Sequence, residues 1–437
     1  MTEAKPLLSR KRLGLPLSRL LLILILLGPP TLREGREAAT AFESPLVGLD
    51  WTYILHLGVW GFAGLYAISR FLLKPLLFAN LLFHLTQRSP SRWYLFFAIT
   101  CLLSAAWSIF PLYTVFFAYK IWVTIFLVLS LAQEAKVRGL SSVEVLLQSV
   151  VLAYSLGLIL LSLLFLISPE LVTQPTPGVI GFRLTGGFLA DYGAYALITL
   201  AFLGTRYLFR KRNIMTSILI TLALLWALVA IILAQTRSTL MAFFLMCLVV
   251  ILFGTRGLRR VVWFTGFAIS GFLALALAGE MILAFLLRGQ DLEGVQTLSG
   301  RTLIFSFLIE YWKESPLLGW GFQAGSRYAA VQFLEQTGMN MGAAHDVISK
   351  VLVDLGLVGA FVLLSALISL LSSLVNLRKR VPREQWLLLT TLALYGLTAS
   401  ISGAGVGEAW PVWVVLFIVP SLAYSRVTEK SQQGGTG

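Results

Sequence analysis

Apolar runs of about twenty residues recur along most of the chain, separated by short basic clusters. A helical run of that length matches the hydrocarbon core of a bilayer. A soluble domain would show an amphipathic period, and a transmembrane barrel would show short alternating strands; the sequence has neither pattern. The composition agrees, with 58% hydrophobic and only 12% charged residues. The sequence therefore predicts an all-α polytopic membrane protein.

The runs predict about twelve crossings, with both termini on the inner side. Most of the 34 lysines and arginines then fall in inner segments, as the positive-inside rule requires. The net charge of +14 follows from this retention at an anionic inner leaflet and gives no indication of nucleic-acid binding. Residues 71–92 mix apolar and basic side chains, so this stretch is either surface-lying or re-entrant, or hides a further crossing.

The crossings divide the chain into three parts. Residues 1–287 carry the first nine crossings, residues 288–345 form a large outer loop, and residues 346–437 carry the last three crossings and an inner tail. The loop is predicted to be folded. Ser299 is a candidate N-cap for a helix that runs to about residue 312, and residues 326–336 form a second short helix.

The two cysteines and two of the three histidines give no sign of a site. Cys101 and Cys247 fall inside apolar runs, so they predict neither a disulfide framework nor a metal site. His56 and His84 have no partner motif and are interpreted as structural. We therefore expect no metal and no cofactor.

Three arginines lie at the outer ends of helices, against the positive-inside bias: Arg183, Arg237 and Arg301. The third histidine, His345, lies at the same membrane face, where the outer loop re-enters an apolar helix. Guanidinium groups present a planar fork to phosphate oxygens, so this face is suited to an amphiphile with a diphosphate head. The alternative is that each arginine extends to lipid phosphates or pairs with a nearby glutamate.

At His345 the sequence resembles the O-antigen ligase and O-antigen polymerase superfamily of bacterial inner membranes. Its signature is His, usually Asn, Ser or Gln, nine residues, Gly, two residues, and Gly, Thr or Tyr. Here His345 and Asp346 are followed by nine residues, Gly356, two residues and Gly359. The spacing matches, and only the second position differs. Asp346 either orients His345 or complements the positive end of the following helix.

Three upstream segments strengthen the resemblance by their order and their side of the membrane. They are Arg183-Leu184-Thr185-Gly186-Gly187 with Asp191, then Thr236-Arg237-Ser238, and finally Ser299-Gly300-Arg301 with Pro316-Leu317-Leu318-Gly319-Trp320-Gly321.

The resemblance implies a GT-C-like enzyme in the bacterial inner membrane with a periplasmic active site. It would transfer a glycan from undecaprenyl diphosphate to an acceptor hydroxyl without a metal. His345 would be the base and the three arginines would bind the diphosphate. The chemistry is consistent, because an imidazole with a pKa near ~6.5 can accept a hydroxyl proton. Diphosphate is a good leaving group once fixed cations meet its developing charge.

Within this superfamily we favour a ligase acting on lipid A-core, because one outer loop dominates and the histidine signature has ligase spacing. A polymerase and a protein O-oligosaccharyltransferase stay open. A transporter or flippase is the alternative from another class, since Lys120, Glu280 and Asp354 lie within apolar runs. The absence of an internal repeat disfavours it. A non-catalytic scaffold would leave the outer arginines unexplained.

Overall fold

The computed structural model of the protein is predominantly helical. It describes residues 16–27, 51–87, 90–175, 182–185, 192–209, 213–255, 257–287, 301–338, 347–402 and 411–433. The elements below are numbered within these ranges.

The described amino-terminal part is helical. The helices are α1 (Leu17–Leu26), α2 (Trp51–Leu73), α3 (Pro75–Thr86), α4 (Ser91–Leu103), α5 (Pro111–Val137) and α6 (Ser142–Ile167), with 3-10 turns at Ser104–Ala106 and Pro169–Leu171. Helices α3 and α5 each begin at a proline, whose missing N–H costs nothing in the first turn. The chain bends by 100° between α2 and α3, within the stretch predicted to be surface-lying or re-entrant.

The central part opens with a strand pair that the sequence did not predict. The antiparallel strands are β1 (Thr173–Pro175) and β2 (Phe182–Leu184), and they are followed by α7 (Tyr192–Phe209), α8 (Ile214–Ala234), α9 (Arg237–Val249) with a π turn at Val250–Gly254, and α10 (Leu258–Leu287). The strand pair is a small addition to the predicted all-α fold. At three residues per strand, it is too short to give a recognisable alternation.

The carboxy-terminal part contains both helices predicted for the outer loop. The elements are α11 (Arg301–Lys313), α12 (Ala324–Thr337), α13 (Val347–Leu377), α14 (Arg383–Ser402) and α15 (Pro411–Gln433). The apolar helix that the sequence predicted behind His345 corresponds to α13, and it contains a break. Helix α13 is broken at Gly356, whose backbone has φ 63° and ψ −162°.

Five helices of the described part are long and apolar enough to cross a membrane: α5, α6, α8, α9 with its π turn, and α13. A sixth span results if the bent pair of α2 and α3 counts as one. Helix α8 exposes Leu219, Leu222 and Leu225, each by more than half. Such a face is suited to lipid rather than water. The structure thus supports a multi-pass membrane protein, and the predicted total of about twelve crossings stays a prediction.

Helix α15 forms the centre of the helical core. Residues 411–421 are all buried, and the helix packs against α4, α5, α6 and α13. Phe417 stacks on Tyr94 of α4 with ring centroids 4.4 Å apart. Helix α14 approaches closely at Gly396, where a Cβ would lie 2.3 Å from Trp413. This core holds α4, α5 and α13 in place, and α11 and α12, the helices predicted for the outer loop, rest on α13.

Candidate functional site

Arg183 lies in β2, directly opposite Gln174 of β1. Its Nε donates to Gln174 Oε1 at 3.0 Å, and its Nη2 donates to the same oxygen. Two of the five guanidinium N–H donors are therefore used to hold the side chain in a fixed direction. The half-exposed side chain keeps further donors for another ligand.

Arg237 is the first residue of α9, and the turn before it is tied to the strand that carries Arg183. Gln235 takes a left-handed backbone conformation at φ 49° and is only 5% exposed. Its side-chain Nε2 donates to the backbone carbonyl of Phe182 at 2.8 Å. The structure thus brings together the two arginine segments, which are separated by more than fifty residues in the chain.

The start of α7 packs on the start of α9, next to the same turn. A Cβ at Gly193 would lie 2.9 Å from Thr239 Oγ1, so a larger residue here would require the Thr239 side chain to shift. Asp191, the acidic residue predicted to support the site, immediately precedes α7 and lies outside the described residues.

The remaining predicted site residues are described only in part. Arg301 is the first residue of α11, and its side chain is outside the described part of the chain. His345 and Asp346 directly precede α13 and are also outside the described residues. Their roles stay predictions.

The two signature glycines stand where the outer loop meets the break in α13. Leu357 N–H donates to Pro316 O at 2.9 Å, and Trp320 N–H donates to Val353 O at 2.9 Å. A Cβ at Gly356 would lie 2.3 Å from the carbonyl carbon of Leu317. The Pro/Gly stretch at 316–321 is therefore inserted against a helix break that only glycine permits.

The other glycines of this junction are also held by close contacts. A Cβ at Gly319, which has φ 66°, would lie 2.5 Å from the backbone of Asp354. A Cβ at Gly359 would lie 2.1 Å from Leu355 Cβ. The spacing of Gly356 and Gly359 in the signature thus has a packing reason.

Asp354, one of the three charges that favoured a transporter, caps a helix. Its carboxylate accepts from the backbone N–H of Gln323 at 3.0 Å and of Ser326 at 2.7 Å, at the start of α12. The residue is 1% exposed, and Lys350 one turn earlier supplies an opposite charge. A carboxylate at a helix N-terminus satisfies donors that the helix itself cannot. Sequence reasoning missed this role because the partners lie about thirty residues apart.

Hydroxyl groups at the junction of α4 and α5 hold the other side of the inserted loop. Ser104 Oγ accepts from Phe322 N–H at 3.0 Å, and Thr114 Oγ1 donates to Phe322 O at 3.0 Å. Ile109 N–H donates to Trp320 O at 3.1 Å. The loop is thus clamped between α4–α5 and the broken helix α13, which gives the outer segment a rigid base.

Residues 222–364 match the O-antigen ligase family. The matched stretch contains Arg237, Arg301, His345 and both signature glycines, and it covers about a third of the chain. The match supports the O-antigen ligase superfamily, as the sequence patterns predicted, and so supports an enzyme of the glycosyltransferase type. A search of curated proteins found no match.

Lys120 and Glu280, the other two charges within apolar runs, lie in surroundings that differ from those of the helix-capping Asp354. The Lys120 ammonium lies 5.0 Å from the ring centre of Trp60 and 4.9 Å from that of Phe117, so cation–π contacts stabilise its charge. Glu280 is exposed on α10. In the described ranges, no group of three or more His, Cys, Asp or Glu residues is placed to hold a metal ion.

Proposed function

We propose that the protein is an O-antigen ligase that transfers a glycan from undecaprenyl diphosphate to lipid A-core. The observation that carries this proposal is the family match over residues 222–364, which includes two of the three outer arginines and His345. The link between Gln235 and Phe182 supports it further, because it holds the segments of Arg183 and Arg237 side by side.

In the proposed reaction, a hydroxyl oxygen of the acceptor attacks the anomeric carbon of the donor glycan. His345 accepts the hydroxyl proton as general base. The bond between the anomeric carbon and the diphosphate oxygen breaks, and the diphosphate keeps the electron pair. No metal is required where fixed cations meet this charge.

Arg183, Arg237 and Arg301 are the proposed diphosphate ligands. Fixed guanidinium groups stabilise a developing charge without reorganising at the moment of reaction. The contact between Arg183 and Gln174 favours such a role, since it orients one guanidinium before the donor binds. Asp346 and Asp191 are proposed as supporting residues, and Gly356 and Gly359 as supports of the adjoining loop.

The proposal places the site at the periplasmic face of the bacterial inner membrane, in a GT-C-like arrangement of about twelve crossings with cytoplasmic termini. Residues 1–287 then carry nine crossings, residues 288–345 the periplasmic loop, and residues 346–437 three crossings and a tail. Most basic residues fall in cytoplasmic segments in this arrangement, which supports it.

Transfer by the purified protein tests the proposal. Wild type and His345→Ala are incubated with an undecaprenyl-diphosphate glycan and lipid A-core in the presence of chelator. We expect transfer to lipid A-core by wild type and a loss of at least ~100-fold in the variant, the usual range for a general base. His84→Ala is the matched control, because His84 is exposed on α3.

The products separate the alternatives within the superfamily. Elongation of the donor without modification of lipid A-core would identify a polymerase, and transfer to a Ser or Thr peptide would identify a protein O-oligosaccharyltransferase. Equal transfer by wild type and His345→Ala would overturn the role of His345.

A further inference from the structure

A cleft with a volume of about 920 Å³ opens between α11 and α12. Aromatic rings form much of its wall, including Phe110, Phe307, Tyr311, Trp320 and Tyr328. Its size falls within the range of pockets that hold organic ligands. Of the predicted site residues that the structure describes in full, Arg183, Arg237, Gly356 and Gly359, none lines it.

The rings are arranged as a platform before any ligand binds. Tyr311 stacks on Trp320 with ring centroids 5.4 Å apart, and Phe307 lies nearly parallel to Tyr311, with an angle of 11° between the planes. The ring centroids of Tyr328 and Phe110 are 6.0 Å apart. The Trp320 indole N–H donates to Tyr311 O at 3.4 Å, which fixes the ring direction. Burial and the nearby Tyr328 and Glu314 raise the pKa of Tyr311, so its hydroxyl stays protonated.

The rim of the cleft is polar and negatively charged. Glu310, Glu314, Gln332 and Gln336 line it, and the Glu310 carboxylate pairs with Lys313 Nζ at 2.6 Å. Among the described residues, no Lys or Arg belongs to the lining itself. Carboxylates accept hydrogen bonds, and amides both donate and accept, so the rim can bind hydroxyl groups in any orientation. The Glu314 carboxylate disfavours phosphate and other anions, and the polar rim disfavours a lipid tail.

We propose that this cleft binds an uncharged stretch of the donor glycan. Sugar rings have a flat apolar face for an aromatic platform and hydroxyl groups at their edges for amides and carboxylates. The lining is also close in sequence to two predicted site residues: Leu303 is two residues from Arg301, and Thr337 precedes His345 by eight residues. This inference rests on the proposed function and assigns the donor glycan its own binding site.

Tyr328→Ala and Gln336→Ala test the cleft, with Phe305→Ala as the control. Phe305 is an exposed aromatic residue of α11 outside the lining, and Gln336 is an exposed rim residue whose loss leaves the ring platform intact. The donor carries either the complete glycan or a single sugar. We expect kcat/KM for the complete donor to fall about five- to tenfold in Tyr328→Ala, the scale of a lost aromatic contact, and two- to fivefold in Gln336→Ala. The single-sugar donor should be unaffected.

A binding measurement that does not require turnover separates this inference from the proposed function. The oligosaccharide is released from the donor by mild acid, and saturation-transfer NMR detects its sugar protons on wild type and variants. We expect signals for wild type and Phe305→Ala that weaken in both cleft variants. Binding without glycan transfer would refute the proposed function and keep the cleft. Transfer with unchanged glycan binding in both cleft variants would refute the glycan-binding role of the cleft. If wild type neither binds the oligosaccharide nor transfers the glycan, both the cleft's role and the proposed function are refuted.

Discussion

Asp354 of helix α13 accepts a hydrogen bond from the backbone N–H of Ser326, with 2.7 Å between Oδ1 and N. The two residues belong to different parts of the molecule, since Ser326 lies in the first turn of the outer helix α12. A carboxylate of α13, which follows His345 in the chain, therefore caps α12, which precedes His345. The position of the outer segment depends on this buried contact.

Asp354→Asn should destabilise the protein without a direct effect on the reaction. The amide keeps one acceptor but turns N–H donors toward backbone N–H groups, and a hydrogen bond to a charged group contributes about 1.5–3 kcal/mol. Thermal unfolding in detergent and proteolysis within residues 301–338 measure the effect. Glu280→Gln, an exposed carboxylate in another apolar run, is the control. A variant of normal stability that has lost transfer would instead place Asp354 in the reaction.

Gly356→Ala should fail to assemble the outer segment. The conformation at φ 63° and ψ −162° alone costs an alanine roughly 1–3 kcal/mol. The added Cβ would also lie 2.3 Å from the backbone of Leu317, which cannot move without displacing the inserted loop. We expect a low yield of folded protein and a lower Tm. Gly266→Ala is the control, since nothing lies within 4 Å of its added Cβ; equal stability of the two variants would contradict the packing argument.

The sequence predicts the helices well and their connections poorly, for a physical reason. Periodic patterns within one helix are local signals, so α11 ends at Lys313, close to the predicted residue 312, and α12 extends only slightly beyond the predicted 326–336. The break at Gly356 is not a local feature, because its free backbone groups bond to the stretch at 316–321, which is distant in the chain. The glycine signature was found, but it gave no indication of the partner backbone.

In the candidate site, too, the sequence predicts the residues but not the non-local contacts that position them. The pattern of arginines predicts that Arg183, Arg237 and Arg301 share one face. The hydrogen bond between Gln235 and Phe182 holds the segments of Arg183 and Arg237 next to each other. No sequence signal identified Gln235, since left-handed positions usually hold Gly or Asn. The aromatic cleft was also missed, because its rings come from α11, α12 and two separate turns.

Gln235→Glu should weaken donor binding more than catalysis. The variant keeps the size and the left-handed backbone of residue 235 but replaces the N–H donor with an acceptor facing the Phe182 carbonyl. The β2 strand should then separate from the turn of Arg237. A lost hydrogen bond of about 1 kcal/mol corresponds to roughly a fivefold rise in KM, with kcat nearly unchanged.

The matched control for this change is Gln87→Glu, an exposed glutamine after α3. Gln235→Gly, which relieves the left-handed strain, should show the same rise in KM. A fall in kcat at constant KM in both Gln235 variants would argue against a positioning role.

Lys120→Met should retain glycan transfer and alter stability little. Methionine fills the space of the lysine stem, and removal of a charge from an apolar helix offsets the lost cation–π contacts with Trp60 and Phe117. A double-mutant cycle with Trp60→Ala measures the cation–π contact. Trp60→Ala should lower the free energy of unfolding by about 0.5–2 kcal/mol less in the Lys120→Met background than in wild type. Lys136→Met, an exposed lysine of the same helix α5, is the control in thermal unfolding and transfer assays. A folded Lys120→Met protein without transfer would show instead that this charge has a direct function within the membrane.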